Sequence, residues 1–565
     1  MSCTGPLDKP ASTVSKLPVC RVFHILALVF LWAFLMLGLG SSALAQSHSV
    51  DELQPAGTHS IANQSVSSSS PLDAAEQLYR TGKLDEAAQA YQAIIRAEGK
   101  SALAYVGLVR VYLKQKKPAE AFAALARAVE LAPAAEATRV AAGEVYFRQG
   151  KMPEAENEFA VLIRQNTTQA RAYLGLSRVY RAASYYKRAK IMIDKAYAMD
   201  AADPDIRKAW ISTLTLRERL KALQQYLASQ TNDDAEQRRG LEAQLAVLQD
   251  EARQPARPCR LAARVATMET PLERLLHDSN HLRGYGLRVN FNGTSSKLLL
   301  DTGAGGILIN RKIAEKAEIK PVTQTDLKGI GDKGNASGYI GYADSIKIGD
   351  LEFLDCYVEV MDQRSVIGED GLIGADVFSS FLVDIDFPHA KFRLSPLPPR
   401  PDEPAPVAAL ESRSSGSSGF HDRYVAPEMQ SFSAIYRFGH QLLIPTRIND
   451  LPSKLFVIDT GAFANTINPA AAKEVTKLSS DPRLTVKGIS GTVKDVFRAN
   501  ELTLQFANFK QKNLDIVAFD TTHISDSVGT EVSGFLGFSM LWMLEIKIDY
   551  RDGLVDFIYD PNRPH

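Results

Sequence analysis

Two aspartates in this chain occur in nearly the same short string. Asp301 lies in LLLDTGAGG (298–306), and Asp459 lies in FVIDTGAFA (456–464), 158 residues further on. Two carboxyl groups that are held close together share one proton, because ionising both would bring two negative charges together. One carboxyl group can then act as a general base while the other acts as a general acid. Asp301 and Asp459 are therefore candidates for such a pair.

The neighbours of each aspartate are suited to holding such a pair. Gly303 and Gly461 have no Cβ atom, so the backbones of the two loops can approach each other. The hydroxyl groups of Thr302 and Thr460 can form hydrogen bonds across to the partner loop. The apolar residues before each aspartate place the loop between buried strands, which keeps it rigid. The residues expected to support the pair are Thr302, Gly303, Ala304, Thr460, Gly461 and Ala462.

Each string opens a longer block, and the two blocks align. LKGIGDKG (327–334) corresponds to VKGISGTV (486–493), and DGLIGADVFSSFLVDIDFPHAKF (370–392) corresponds to SGFLGFSMLWMLEIKIDYRDGLV (533–555). Both blocks consist of short alternating or β-branched runs with turns between them, which predict strands. The chain therefore carries an internal duplication of a domain of about 120 residues, a usual domain size.

The two blocks resemble the lobes of aspartic proteases of the retropepsin–pepsin clan. Members of that family have an apolar-apolar-Asp-Thr/Ser-Gly-Ala loop, a glycine-rich flap hairpin and a later apolar-apolar-Gly string. Here that later string is LIG (372–374) in the first block and FLG (535–537) in the second. The resemblance covers about residues 280–397 and 430–562. It implies two all-β, retropepsin-like lobes in one chain, each supplying one of the two carboxyl groups.

The resemblance also implies an activity. It points to an aspartic endopeptidase that hydrolyses peptide bonds with a water activated by Asp301 and Asp459. The flaps are expected to close over a peptide or protein substrate and to exclude bulk water. Neither a metal nor an organic cofactor is implied. The alternative interpretation is a non-catalytic exported scaffold whose lobes bind peptides without cutting them. The flap candidates are Gly329, Ile330, Gly331, Gly488, Ile489 and Ser490.

The two blocks also differ from each other and from the family. Asp376, in GADVF, has no acidic counterpart in GFSML of the second block. No residue clearly matches the flap tyrosine of pepsins, for which Tyr339 is the nearest candidate. Both lobes are short, closer to the retroviral length than to that of pepsin. These departures leave the reaction class in place and concern the size and specificity of the cleft.

A second repeat, with a period of 34 residues, precedes the duplicated blocks. TGKLDEAAQAY (81–91), KKPAEAFAAL (116–125) and QGKMPEAENEF (149–159) align at that period. Residues 71–204 therefore resemble tetratricopeptide repeats, in which each unit is a helix pair. Such pairs stack into a superhelix with a concave side, which can bind a substrate or a protein partner. A rigid spacer is the alternative interpretation.

The remaining segments complete a multidomain organisation, an all-α superhelix followed by two all-β lobes. Equal numbers of Lys+Arg and Asp+Glu, 65 each, give no basic field for nucleic acid. Helical periodicity continues after the repeats, and a Pro/Ser/Gly tract separates the lobes. The expected segments are a targeting segment (1–45), a flexible leader (46–70), the repeats (71–204), a helical connector (205–258), the first lobe (259–397), a linker (398–429) and the second lobe (430–565).

The targeting segment has the order of a signal peptide. Basic residues precede an apolar run from Val22 to Gly40, and SSALAQ (41–46) contains a small-x-small cleavage pattern. An apolar run of about 18 residues can also span a bilayer, so an uncleaved membrane anchor through residues 22–40 is the alternative. In both cases the rest of the chain is exported: periplasmic, extracellular or anchored facing outward.

The cysteines fit an exported protein. Cys3 and Cys20 lie in the targeting segment, so cleavage leaves Cys259 and Cys356. Two cysteines in an oxidising compartment can form one disulfide. Two unpaired thiols are the other possibility, and the sequence leaves both open.

If the targeting segment is a signal peptide, the mature protein should begin near Gln46, because cleavage follows Ala45. Sequencing of the N-terminus of the exported protein measures this directly. A membrane-bound chain that still contains residues 22–40 would favour the anchor instead.

Overall fold

The computed structural model describes residues 70–229, 235–253, 259–263, 265–276, 282–327, 329–331, 336–363, 369–401, 420–481 and 484–561. The expected targeting segment and all of the expected leader except Ser70 lie outside the described residues. In the described part of the chain, no helix is long and apolar enough to cross a membrane.

Helices occupy the described chain from residue 71 to residue 253. The first four pairs follow the 34-residue period, and three further helices continue the stack. They are α1 (Pro71–Arg80), α2 (Leu84–Glu98), α3 (Ala102–Lys114), α4 (Pro118–Leu131), α5 (Glu136–Arg148), α6 (Met152–Arg164), α7 (Ala170–Ala182), α8 (Tyr186–Met199), α9 (Pro204–Ile211), α10 (Leu216–Ser229) and α11 (Ala235–Arg253).

The turn between the two helices of each pair explains the repeat. Gly82, Lys116, Gly150 and Ser184 occupy the same position in successive turns, and all four have positive φ (78°, 58°, 73° and 61°). This left-handed conformation suits glycine best. Ser184 adopts it in the fourth repeat, which has no glycine there. The helix pair therefore forms in all four repeats, although the sequence of the fourth is the least typical.

The first helices of successive pairs direct charged side chains towards one another. The Tyr79 hydroxyl on α1 donates to the Asp205 carboxylate, 3.1 Å away. Arg171 on α7 pairs with Asp203 at 2.7 Å and with Glu144 on α5 at 2.8 Å. Asp203 caps α9 and Asp205 lies in its first turn, so α9 contacts both the first and the fourth helix pair. The sequence predicted a binding platform on the concave side of the repeats, and that remains a prediction.

Strands make up both lobes. The sheet of the first lobe consists of β1 (Arg260–Leu261), β3 (Glu273–Leu276), β4 (Leu282–Phe291), β5 (Thr294–Asp301), β6 (Ile307–Asn310), β7 (Lys320–Leu327), β8 (Ala336–Ile348), β9 (Leu351–Met361) and β10 (Gly371–Gly374). The sheet of the second lobe consists of β14 (Tyr436–Phe438), β15 (Gln441–Ile448), β16 (Lys454–Asp459), β17 (Thr466–Ile467), β18 (Leu478–Ser480), β21 (Val496–Ala499), β22 (Leu502–Phe506), β23 (Phe509–Asn513), β24 (Ile516–Phe519) and β25 (Gly534–Gly537).

Two smaller sheets and several short helices complete the lobes. A hairpin of β19 (Val486–Gly488) and β20 (Gly491–Val493) stands apart from the main sheet of the second lobe. The other small sheet contains β2 (Met268–Pro271), β11 (Phe381–Asp386), β12 (Lys391–Pro396), β13 (Ser433–Ala434), β26 (Leu544–Asp549) and β27 (Leu554–Tyr559). The short helices are α12 (Arg311–Lys316), α13 (Pro469–Lys473), α14 (Thr522–Val528) and α15 (Phe538–Leu541), with 3₁₀ turns at Ala375–Phe378 and Pro427–Met429.

Both lobes contribute to the sheet that contains β11 and β26. These two strands pair antiparallel, and Asp384 lies opposite Lys547. Those two residues are equivalent positions of the duplicated blocks. A residue that faces its own equivalent across an antiparallel pair marks a local two-fold axis. The alternating side chains of both strands, among them Val383 and Ile546, are fully buried. The shared sheet therefore fixes how the two lobes face each other.

The linker is shorter than the sequence suggested. Residues 398–429 were expected to form an exposed connection, but only 402–419 of them lie outside the described residues. Arg400 forms a buried ion pair with Asp552 of the second lobe. The backbone N–H of Tyr424 donates to the same carboxylate at 2.8 Å. A buried charge needs such partners, so both flanks of the expected linker are parts of the packed second lobe.

The structure joins Cys259 to Cys356, one of the two alternatives that the sequence left open. Their Cα atoms are 4.5 Å apart, within the usual range for a disulfide. The bond fastens the chain to β9 at the point where it enters the first lobe. There β1 also pairs with β9, with Arg260 opposite Leu354.

Replacing both cysteines by serine should lower the free energy of unfolding by about 2–4 kcal/mol, because the bond closes a long loop in the unfolded chain. The two cysteines are 97 residues apart. Chemical denaturation of the mature protein and of Cys259→Ser/Cys356→Ser gives the difference. Equal stability of the two, or two free thiols in non-reduced wild-type protein, would contradict the assignment.

Candidate active site

Asp301 and Asp459 end two equivalent buried strands. Asp301 is the last residue of β5 and lies beside Gly374 of the parallel strand β10. Asp459 is the last residue of β16 and lies beside Gly537 of the parallel strand β25. The apolar residues that precede each aspartate are buried in the cores of the lobes. The strands thus carry both carboxyl groups to the junction between the lobes.

Crossed hydrogen bonds between the lobes lock the two loops together. The Thr302 hydroxyl donates to the Ile458 carbonyl at 2.7 Å and accepts from the Thr460 N–H at 3.0 Å. The Thr460 hydroxyl donates to the Leu300 carbonyl at 2.8 Å and accepts from the Thr302 N–H at 3.0 Å. All four bonds are buried, where leaving a partner unsatisfied is costly. The expectation that the threonines bond across to the partner loop is confirmed.

The glycines of the two loops allow the carboxyl groups to meet. A Cβ atom on Gly303 would lie 2.6 Å from the Asp459 Cγ, and one on Gly461 would lie 2.4 Å from the Asp301 Cγ. Both distances are shorter than any real contact, so a side chain at either position would push the loops apart. The structure therefore brings Asp301 and Asp459 together, each against the glycine of the opposite loop.

Backbone amides hold each carboxyl group in place. The N–H groups of Gly303 and Ala304 donate to Asp301 Oδ1 at 2.8 and 3.1 Å. In the second lobe, the N–H groups of Gly461 and Ala462 donate to Asp459 Oδ1 at 2.9 and 2.8 Å. One oxygen of each carboxyl group is thus fixed by its own loop.

Burial and mutual repulsion favour a shared proton. Burial raises the pKa of Asp301 well above its ordinary value, and the charge of the neighbouring Asp459 raises it further. Burial also raises the pKa of Asp459, although the bonds from Ala462 and Gly461 act in the opposite direction. A carboxyl pair of this kind titrates as one unit. The site can therefore offer one acidic and one basic carboxyl group at the same pH.

Two supporting side chains were not identified as such from the sequence. Asp376 accepts a hydrogen bond from the Gly306 N–H at 2.9 Å, so it fastens the end of the first loop to the turn after β10. In the second lobe Asn465, inside the loop, accepts from the Gly537 N–H at 2.8 Å. Each lobe thus fastens its active loop with a different side chain at a different position. The lack of an acidic counterpart to Asp376 in the second block indicated that the lobes differ here, whereas nothing in the sequence indicated a role for Asn465.

The two loops diverge directly after their shared string. At Gly305 a Cβ atom would lie 2.5 Å from Nδ1 of His440, so this ring of the second lobe covers the first loop. The equivalent position in the second loop is Phe463, whose side chain is 58 % exposed. The two sides of the site therefore differ in shape although the carboxyl groups are equivalent.

The flap candidates of the two lobes meet each other. The Ser490 N–H donates to the Ile330 carbonyl at 3.0 Å. Gly331 has φ of +143°, and a Cβ atom there would lie 2.2 Å from the Ser490 carbonyl carbon. A Cβ atom on Gly488 would lie 2.2 Å from the Ile330 oxygen. The glycine-rich composition of both tips therefore permits direct backbone contact between them. Part of the expected first flap, around Gly334, lies outside the described residues.

Each flap tip also places an isoleucine against the opposite lobe. Ile330 packs against buried residues of the second lobe around Val493. Ile489 packs against buried residues of the first lobe around Leu299, and Gly329 faces it. The tips thus exchange apolar contacts. Tyr339, the candidate for a flap tyrosine, is instead a buried residue of the main core.

Within the described ranges, His, Cys, Asp and Glu side chains form no group of three or more suited to a metal.

Comparisons with known proteins agree with this organisation. The family model for aspartyl proteases matches residues 287–377 and 444–540. Two tetratricopeptide-repeat models match residues 72–136 and 113–179. No curated protein matches the chain. Among solved structures, aspartic proteinase from Irpex lacteus is matched at 13 % identity with a TM-score of 0.31. That match covers 52 % of this chain and 98 % of the other. The aspartyl protease matches fall in the two lobes, and the tetratricopeptide-repeat matches fall in the helical region.

Proposed function

We propose that this chain is an exported aspartic endopeptidase whose single active site is formed by Asp301 and Asp459. The observation that carries the proposal is the meeting of these two buried carboxyl groups across the lobe junction, each against the glycine of the opposite loop. The crossed threonine bonds and the aspartyl protease match of both lobes support it. Export rests on the N-terminal segment and stays a prediction.

The proposed reaction uses the shared proton. The ionised carboxyl group removes a proton from a water as its oxygen attacks the carbonyl carbon of the peptide bond. The protonated carboxyl group gives its proton to the carbonyl oxygen, and a neutral tetrahedral intermediate forms. When the intermediate collapses, the carboxyl group that took the proton from the water gives it to the leaving nitrogen, the other carboxyl group removes a proton from a hydroxyl group of the intermediate, and the C–N bond breaks. The pair ends with one proton again, so it is ready for the next cycle.

The loops position the two carboxyl groups, and the flaps shield them from bulk water. The threonine bonds and loop amides hold the carboxyl groups so that no reorganisation is needed during the reaction. The flap tips, closed over the site, exclude bulk water and keep the proton transfers between the intended partners. The helical module provides a protein-interaction surface through which substrates or partners are selected.

Replacing either aspartate by asparagine should reduce kcat/KM for peptide cleavage by at least about 10³-fold, and the double variant should be scarcely worse, because the residues act as a unit. Asp344→Asn is a matched control at an exposed position of the first lobe. Substantial activity in Asp301→Asn or Asp459→Asn would instead indicate separate sites in a homodimer. Full activity in the double variant would exclude these lobes as the enzyme and favour the peptide-binding alternative.

The same variants should be at least as stable as wild type at neutral pH. A carboxyl group whose pKa is higher in the folded than in the unfolded state contributes stability that is fully present below the unfolded-state pKa. That contribution is lost as the pH rises through the folded-state pKa. Asparagine mimics the neutral acid and keeps that stability at higher pH. Thermal unfolding of Asp301→Asn and wild type at pH 7 therefore separates loss of catalysis from loss of folding.

The pH dependence of cleavage should be bell-shaped and shifted upward from ordinary carboxyl values. Activity falls at low pH, where both carboxyl groups are protonated and no base remains. It falls at high pH, where the shared proton is lost and no acid remains. Both pKa values are raised by burial, so the maximum should lie above about pH 4, near which free carboxyl groups titrate. A profile of kcat/KM that is flat from mildly acidic to alkaline pH would contradict a carboxyl pair.

A further inference from the structure

The turn of the third tetratricopeptide repeat is buried against the second lobe. Met152, the first residue of α6, is only 1 % exposed. It belongs to an apolar cluster whose other members all come from the second lobe. This docking cluster consists of Met152, Leu443, Leu455, Val457, Val493, Val496, Phe519, Val532 and Phe535. Met152 of the helical module thus completes a core of the protease domain, and Phe147 of α5 packs against the same cluster.

Backbone contacts fix the turn in this place. The Thr530 hydroxyl donates to the Phe147 carbonyl at 2.7 Å, and the Glu531 N–H donates to the Arg148 carbonyl at 2.8 Å. These carbonyls lie at the end of α5, where helix carbonyls lack intrahelical partners, and that of Phe147 also accepts from the Gly150 N–H at 3.1 Å. A Cβ atom on Gly150 would lie 3.3 Å from Leu455 Cδ1. The second lobe therefore satisfies the end of a repeat helix, which a loose tether would not require.

The docking cluster continues into the flap of the second lobe. Val493 is the last residue of flap strand β20, and Val496 begins β21, to which the flap returns. Ile330, at the tip of the first flap, packs against the same cluster. Its carbonyl accepts the hydrogen bond from Ser490 that joins the two tips. Met152 is thus connected through packed apolar side chains to both flaps.

The helical module also contacts the first lobe next to its flap. Arg239 on α11 pairs with Asp326 at 2.7 Å, near the end of β7 that leads to the flap tip. The Tyr357 hydroxyl on β9 donates to Asp250 of α11 at 2.8 Å. The module therefore bridges the two lobes and lies at the base of each flap.

We propose that the helical module is a structural part of the peptidase and that Met152 is a positioning residue that holds the flap of the second lobe closed against the first. This inference rests on the proposed function for its effect on cleavage. The effect on the flaps themselves does not depend on it. In this arrangement, shortening Met152 leaves a gap beneath Val493, and the flap hairpin loses the support that keeps Ser490 bonded to Ile330.

The experiment compares Met152→Ala with Met192→Ala, a partly buried methionine that packs against apolar clusters of the helical module. Amide hydrogen exchange is measured over residues 486–493 in the full-length mature protein. Exchange there should be at least about tenfold faster in Met152→Ala than in Met192→Ala, since local opening controls exchange. Met152→Leu should restore slow exchange. Equal exchange in the two alanine variants would overturn the proposal.

Cleavage of a short peptide gives the second measurement. Met152→Ala should lower kcat/KM by about 10–100-fold, mainly through kcat, because the flap no longer holds the substrate in the reactive geometry. Met192→Ala should stay within about twofold of wild type. Should Met152→Ala fail to fold, Thr530→Val removes the bond to Phe147 from the lobe side and should speed exchange in the same segment. Wild type that cleaves no peptide would defeat the proposed function, while the exchange result would still decide the role of Met152.

Discussion

Two carboxyl groups held side by side in a buried site repel each other once both ionise. The surrounding structure must therefore hold them together against this repulsion. Burial and the neighbouring charge raise the pKa of Asp301, so one proton stays with the pair. Keeping the pair together requires bonds that cross between the lobes, and the hydroxyls of Thr302 and Thr460 provide them. It also requires that nothing fills the space between the loops, which explains the glycines. The shared sheet then sets the orientation of the two lobes.

The two halves of the site are duplicated copies, but each lobe fastens its active loop with a different side chain. In both lobes a side chain bonds the active loop to the end of the apolar-apolar-Gly string or to the turn after it. In the first lobe Asp376, on that turn, accepts from Gly306 of the loop, whereas in the second lobe Asn465, on the loop, accepts from Gly537, the last residue of β25. Because either arrangement fixes the loop, the carboxyl geometry is kept while the surroundings differ. The residues at the edge of the site also differ between the lobes: His440 covers Gly305 in the first loop, whereas the equivalent Phe463 is exposed in the second.

The helical module is bound to the lobes by the turn at Met152 and by its last helix. Within the module, Arg171 forms ion pairs with Glu144 and Asp203. Buried charges of this kind are costly unless paired, so removing a partner would be more disruptive than exposing an apolar residue. The turn at Met152 is packed against the second lobe, so the repeats and the protease domain share a buried core.

The sequence by itself determined the carboxyl pair, the supporting threonines and glycines, the duplicated lobes and the helix pairs. Each of these depends on a short motif or a fixed period, which can be recognised in one amino-acid sequence. Only the tertiary structure decided that Asp376 and Asn465 support the loops, that α9 contacts α1, and that Met152 belongs to a protease core. It also placed the flanks of the expected linker in the second lobe. These contacts join residues far apart in the chain, and in the sequence such residues look like ordinary core or surface positions, so only folding reveals the partner.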